Sequence, residues 1–176
     1  MNIYDILGPV MVGPSSSHTA GAVRIGLITR RLLGAAPVHA EISLSGSFAA
    51  TGTGHGTDRA LIAGLLGMQP DDIRIPDSFS FAAEAGLTFT FHKINLKDAH
   101  PNTAILRVSS ADGRTLEVHA DSLGGGRILV NQLDGIRVNF TGDAPTLIVH
   151  NLDKPGCVAN VTSLLSRNGV NIATMQ

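Results

Sequence analysis

The chain has 176 residues, of which 43% are hydrophobic and 15% charged, and its formal net charge is −1. This composition predicts one folded domain with part of a second, and it argues against wholesale disorder. It also argues against nucleic-acid binding, since there is no basic excess for phosphates, no tryptophan and only 4% aromatic residues for base stacking.

Nothing in the sequence indicates a membrane or secreted protein. No apolar run approaches the roughly 20 residues that a transmembrane helix needs. The first residues lack the basic stretch and apolar core of a signal peptide, so we expect a cytoplasmic protein. Cys157 is the one cysteine in the sequence, which excludes a disulfide framework and a four-cysteine metal site within this chain.

The first half of the chain predicts two helices and a strand. Helical spacing of apolar residues predicts a helix over 17–33 that ends at Gly34. Alternation predicts a strand over 38–44. Residues 46–56 are rich in Gly and Thr and are expected to form a loop, after which Thr57 and Asp58 cap a helix over 59–66.

The second half predicts mainly strands. A short helix around 82–85 precedes strands at 87–91, 104–108, 116–119, 127–130 and 136–140, with hairpin turns at 112–113 and 134–135. We therefore expect an α/β (α+β) fold with helices packed on a mixed β-sheet, in a domain over residues 1–142. Residues 146–176 predict a separate strand–helix–strand (βαβ) unit, with its strands at 146–150 and 170–172.

The first candidate site is the segment Gly-Pro-Ser-Ser-Ser-His-Thr at 13–19. A helix start offers unpaired amides and a positive dipole end, which suit a carboxylate or phosphate. Hydroxyls from Ser15, Ser16, Ser17 and Thr19 would add hydrogen bonds, and His18 could move protons near neutral pH. A well-capped helix with an incidental histidine is an equally simple interpretation.

The second candidate site is Thr-Gly-Thr-Gly-His-Gly-Thr-Asp at 51–58. Its glycines allow close backbone approach, and His55 again stands just before a helix start. One of the two histidines could act as a base and the other could bind a carboxylate. The alternative is a flexible loop before a capped helix.

Two further motifs are weaker by themselves. His100-Pro-Asn102-Thr103 is ordinary turn chemistry between two strands. Gly124-Gly-Gly126 is either an anion-binding nest or a simple bend.

Together these motifs resemble the β subunit of the bacterial iron–sulfur-dependent L-serine dehydratases. The resemblance rests on segments 13–19, 46–48 with 51–58, 100–103 and 124–126, in the family's order, and covers most of residues 1–140. Residues 153–172 resemble the opening of an ACT domain, a ligand-binding or dimerising module usually built as βαββαβ. We expect the rest of that module to lie outside this sequence.

The resemblance implies an enzyme subunit for amino-acid degradation and gluconeogenesis, which converts L-serine to pyruvate and ammonia. A [4Fe-4S] cluster would be held by a separate α chain and not by this one, and no metal would be bound here. His18 and His55 would be the catalytic residues, and the substrate-binding residues would be Ser15, Ser16, Ser17, Thr19, Asp58, His100 and Asn102. An effector would bind the ACT-like part at Asn151, Asp153 and Gly156.

The partners implied are the α subunit and L-serine, and a homodimer through either domain is compatible with the family. The family's β-type domain also resembles the substrate-binding regulatory domain of some phosphoglycerate dehydrogenases. The alternative is therefore a non-catalytic domain that binds an amino acid or another small anion.

Overall fold

A six-stranded mixed sheet organises the larger of two units in the computed structural model, which describes residues 10–52 and 54–175. The larger unit spans residues 1–144 and the smaller one spans residues 145–176. The strands are β1 (Pro37–Leu44), β2 (Thr88–Lys93), β3 (Thr103–Ser110), β4 (Thr115–Gly124), β5 (Arg127–Leu133) and β6 (Ile136–Phe140). Their order is β2-β1-β3-β4-β5-β6, in which only β1 and β2 pair in parallel.

The helical elements of this unit begin with a π-helical turn, Ser16–Gly21, which runs directly into helix α1, Ala22–Leu33. They continue with α2 (Gly46–Thr51), α3 (Thr57–Leu66), a 3₁₀ turn (Ile75–Asp77) and α4 (Ser78–Glu84). Helix α1 packs against α3 and lies on β3, β4 and β5. This arrangement confirms the expected α+β class, with helices on a mixed sheet.

The core lies between the helices and one face of the sheet. Ile42, Leu106 and Val118 are fully buried there with Val23 of α1 and Leu61 of α3. Because side chains alternate along a strand, the opposite face carries residues such as Glu41 and Arg107, which are exposed. This alternation is the signal that made the strands predictable.

Helix α2 differs from the loop expected at 46–56. Its first amides, from Ser47 and Phe48, donate to the Pro101 carbonyl at 2.6 and 3.4 Å. Phe48 is fully buried. A tertiary carbonyl and one buried ring therefore stabilise a six-residue helix that its local sequence does not favour.

The smaller unit contains one helix, α5, Cys157–Arg167, as the sequence predicts. The segments 146–150 and 170–172, predicted as strands, are not strands in the structure. A strand needs ladder hydrogen bonds with a neighbouring strand, and the described sheet, of order β2-β1-β3-β4-β5-β6, includes neither segment. The flanking apolar residues Leu147, Leu152 and Val170 are exposed.

Candidate active site

His18 lies in the π-helical turn at the start of the first helix, and the residue is only 8% exposed. Ser15 is extended and caps the turn by accepting the His18 backbone amide at 3.2 Å. This turn is wound as a π-helix, whereas α1 after it is an α-helix. π-Helical turns within α-helices are frequent at functional sites. The predicted helix over 17–33 is thus confirmed, with a wider first turn.

Hydroxyl groups surround both nitrogens of the His18 ring. Ser17 Oγ lies 3.1 Å and Ser15 Oγ 3.4 Å from Nδ1. On the other side, Ser47 Oγ and Thr51 Oγ1 of α2 each lie 3.1 Å from Nε2. The imidazole is therefore held by four hydroxyls from two elements that are about 30 residues apart.

His55 meets His18 in space, which the sequence could not show. The two ring centroids are 5.0 Å apart and the ring planes cross at 86°. Phe48 lies edge-on to His18 from the core side, at 5.3 Å between centroids. His55 is exposed whereas His18 is buried, so the pair runs from the protein interior to its surface.

Burial lowers the pKa of His18 below its ordinary value of 6.5. The charge of nearby His55 lowers this pKa further, and a hydrogen bond with Ser47 opposes the shift. A neutral ring is consequently favoured around pH 7, and a neutral imidazole can accept a proton.

The π-helical turn is fixed to the sheet by two serines. Ser122 Oγ of β4 donates to the Ser17 carbonyl at 2.9 Å, and the Gly125 amide donates to Ser16 Oγ at 3.3 Å. Gly21 permits this contact, because a Cβ atom there would lie 2.0 Å from Ser122 Oγ. Gly124 ends β4, and Gly125 and Gly126 form the turn into β5; their φ angles of 87°, 61° and 75° explain the three glycines.

The turn at 100–103 contacts the start of α2, because its Pro101 carbonyl accepts the first α2 amides. His100 Nδ1 accepts from the Asn102 amide at 3.1 Å, and Thr103 Oγ1 lies 2.7 Å from the His100 carbonyl. Asn102 Nδ2 donates to the Ser122 carbonyl at 3.3 Å. Asn102 is therefore bonded to Ser122, whose hydroxyl donates to the Ser17 carbonyl of the π-helical turn.

Three buried side-chain oxygens have no hydrogen-bond partner in the described part of the chain, and they lie in three of the four motif segments, 13–19, 51–58 and 100–103. They are Thr19 Oγ1, Thr57 Oγ1 and Asn102 Oδ1. Buried polar atoms are normally paired, so these three mark the motif segments as places where water or ligand would complete the hydrogen bonding.

The start of α3 does not have the form expected from the sequence. The α3 N-cap is Gly56 and not Thr57 or Asp58, and no side chain caps it. Asp58 instead accepts the Arg59 amide at 2.8 Å. The Thr57 amide donates to the Gly52 carbonyl, and the Ala60 amide donates to the Gly56 carbonyl. Hydroxyl and imidazole groups, more than unpaired amides, therefore characterise this site.

The residues expected to bind an effector lie before α5 in the smaller unit. Asn151 and Asp153 are exposed, and Gly156 is the α5 N-cap with a φ of 91°.

Among the described residues, no group of three or more His, Cys, Asp or Glu side chains is arranged to hold a metal ion. Within the same residues, no helix is both long and apolar enough to cross a bilayer.

Ser47, Thr51 and Ser122 are the site residues that reasoning from the sequence did not assign. Ser47 and Thr51 stand four residues apart, which places both on one helical face. That spacing was hidden because segment 46–56 was expected to be a loop. Ser122 sits in a strand, and no sequence signal connects it with Ser17.

Comparison with known proteins identifies the family. A family model described as "Serine dehydratase beta chain" matches residues 2–85. The probable L-serine dehydratase beta chain of Bacillus subtilis is 41% identical over 99% of this chain and 79% of its own length. The L-serine dehydratase beta chain of Peptoniphilus asaccharolyticus is 40% identical over 98% of this chain and 78% of its own length.

A D-3-phosphoglycerate dehydrogenase of Archaeoglobus fulgidus is also similar, at 28% identity over 88% of this chain. The match spans only 29% of that protein, whereas the two beta chains match over more than three quarters of theirs. This difference favours the beta-chain relationship over the non-catalytic alternative. The chain belongs to the L-serine dehydratase beta-chain family.

Proposed function

We propose that the pair His18–His55 and the surrounding hydroxyls form this chain's share of an active site that converts L-serine to pyruvate and ammonia. The observation that carries the proposal is the 5.0 Å approach of the two rings, one buried and one exposed. Dehydration of serine needs the α-proton removed and the hydroxyl lost, and histidine is the side chain best suited to move protons at neutral pH.

His18 is the better candidate for the proton acceptor. Its lowered pKa keeps the ring neutral at pH 7, and its hydroxyl partners fix the ring orientation. A fixed, neutral base needs little rearrangement when it takes a proton.

His55 and the serines would contact the substrate. His55 is exposed and can reach a carboxylate or carry a second proton, while Ser15 and Ser17 hydroxyls can turn toward ammonium or hydroxyl groups. Thr19 and Asn102 each hold a buried oxygen that has no partner among the described residues, which suits a contact with substrate or ordered water. Asp58 and His100 would stabilise the surrounding segments.

A [4Fe-4S] cluster does not fit the residues of this chain. The described residues offer no group of metal ligands, and Cys157 is the one cysteine of the sequence and lies in the smaller unit. The cluster would therefore belong to the α chain, and the partner subunit would face the exposed side of His55. Both chains would work in the cytoplasm.

Residues 146–176 would form the start of an ACT-like domain, separate from the domain over 1–142. The exposed segment with Asn151 and Asp153, followed by Gly156 at the start of α5, would be the part that contacts an effector. Exposed apolar residues around α5 would suit completion of the module or contact between two copies.

The test is reconstitution. The chain is mixed anaerobically with its α partner, and pyruvate release is measured as a function of L-serine. His18→Ala and His55→Ala should each lower turnover by more than about tenfold, the lower end of typical acid–base contributions. His92→Ala is the matched control, because His92 is an exposed residue of β2 outside the site.

Full activity in both site variants would contradict the proposal. Loss of activity in His92→Ala as well would show that the assay reports folding or assembly. Binding of L-serine to the chain without turnover in the assembled enzyme would favour a regulatory domain.

A further inference from the structure

Thr51 has two hydrogen-bond partners and one proton. Its Oγ1 lies 2.9 Å from the Ser47 carbonyl and 3.1 Å from His18 Nε2. A carbonyl oxygen can only accept, so the hydroxyl proton of Thr51 is directed to Ser47. With the Thr51 proton on that carbonyl, Thr51 Oγ1 contacts His18 as an acceptor, which is the arrangement in which Nε2 carries the ring hydrogen.

The opposite nitrogen has the complementary surroundings. Ser15 Oγ already accepts the His18 backbone amide at 3.2 Å, and its own proton remains available to donate. Ser17 Oγ lies 3.1 Å and Ser15 Oγ 3.4 Å from Nδ1. A neutral imidazole carries hydrogen on one nitrogen only, so Nδ1 is the acceptor for these hydroxyls.

We propose that Thr51, together with Ser47, is a positioning residue that holds neutral His18 as the Nε2–H tautomer, which makes Nδ1 the atom that takes a proton. In that step a bond from the donor to hydrogen breaks, its electron pair stays on the donor, and an Nδ1–H bond forms. The resulting imidazolium keeps its Nε2–H on the α2 hydroxyls. The catalytic part of this inference rests on the proposed function, whereas the tautomer does not.

The described side-chain partners of Nε2 are hydroxyls and not carboxylates. A carboxylate there would raise the pKa of His18, whereas hydroxyls orient the ring without adding charge. Among the described contacts of the His18 ring, His55 is the one titratable group, and it lowers the same pKa. The arrangement therefore fixes which nitrogen is protonated and leaves the ring neutral.

The tautomer can be read directly from ¹⁵N-labelled histidine in the full chain, by long-range proton–nitrogen spectra above pH 7.5. The wild-type chain should show His18 protonated at Nε2. Thr51→Val combined with Ser47→Ala should convert a measurable part of the population to the Nδ1–H form, and Thr51→Ser should retain the wild-type pattern. A wild-type ring protonated at Nδ1 would overturn the proposal, and so would a double variant with an unchanged tautomer.

Kinetics of the assembled enzyme give the second measurement. Thr51→Val should lower kcat about fivefold, the size of one net hydrogen bond, and should shift the pH at which kcat is half-maximal, while Thr51→Ser restores both. Thr162→Val is the matched control, because Thr162 makes the same bond to a carbonyl four residues earlier but lies in α5. An unchanged pH profile in Thr51→Val would overturn the positioning role.

The two measurements separate the two ideas. If His18→Ala and His55→Ala both stay fully active while the spectra of the wild-type chain show the Nε2–H form, the proposed function fails and the tautomer assignment stands. If His18→Ala is inactive but the spectra show Nδ1–H, the proposed function stands and the positioning role of Thr51 fails.

Discussion

At the residue scale, the environment of His18 determines what the site can do. The ring is buried beside Phe48 and yet has four hydroxyls around its nitrogens. Burial alone would make a histidine neutral and poorly oriented. The hydroxyls supply orientation, because each contact satisfies a ring nitrogen that burial would otherwise leave unpaired.

The same environment predicts a pH dependence of stability. The pKa of His18 lies below its ordinary value of 6.5 in the folded chain, so between these two values the unfolded chain binds more protons. Stability should therefore fall as the pH is lowered through 6.5 and level off below the folded pKa. Melting temperatures measured from pH 8 to pH 5 should show this fall.

His18→Gln is the comparison for that experiment. Glutamine keeps a polar side chain at the position but cannot titrate, so its melting temperature should depend less on pH over the same range. An identical slope in the two proteins would assign the pH dependence to other groups. Asp72 titrates well below this window, since Arg74 lowers the pKa of its carboxyl to about 2.

At the element scale, two glycines determine how closely α1 and α3 approach. A Cβ atom on Gly26 would lie 2.3 Å from the Leu61 carbonyl oxygen, and one on Gly64 would lie 2.1 Å from the Val23 carbonyl oxygen. Both neighbours are backbone atoms and cannot rotate away. The π-helical turn runs directly into α1, so the distance between α1 and α3 also affects the position of the site.

Gly26→Ala should therefore destabilise the chain by about 1–3 kcal/mol, although alanine is the better helix former. Chemical denaturation followed by circular dichroism measures the change in the free energy of unfolding. Gly54→Ala is the control, since among the described residues a Cβ atom there meets only the Thr51 carbonyl at 3.7 Å. Equal stability of Gly26→Ala and the wild type would show that the two helices can move apart without cost.

Elements with a clear period were predictable, and elements fixed by tertiary contacts were not. The apolar spacing of residues 22–33 and the alternation along β1 and β2 indicate their structures without outside help. Helix α2 depends on the Pro101 carbonyl, which is more than fifty residues away in sequence. For that reason reasoning from the sequence could propose His18 and His55 as site residues but could not assign Ser47 and Thr51 as their neighbours.

At the scale of the whole molecule, the two units differ in how much they bury. The first unit contains all of the buried apolar residues in the described core, whereas α5 of the second buries none. Residues 143–156 are exposed throughout. A helix whose apolar residues Val158 and Leu164 are in contact with water is expected to open locally with little cost.

Limited digestion with a non-specific protease should therefore cut first between residues 143 and 156. Mass spectrometry should find a resistant fragment that ends in this range, while the sheet of residues 37–140 stays intact. First cuts within the sheet would contradict the prediction. Digestion in the presence of the α partner would show whether assembly protects the same segment.

The π-helical turn at Ser16–Gly21 has a consequence for which lengths of chain this fold can tolerate. It winds one more residue into its turn than an α-helix would, and one residue corresponds to about 100° of helical rotation. Deleting a single residue there would keep α1 in place and swing the imidazole away from α2. The number of residues in the π-helical turn therefore sets the rotation of His18 about the helix axis. We expect homologous chains to tolerate substitutions in this turn more readily than a deletion.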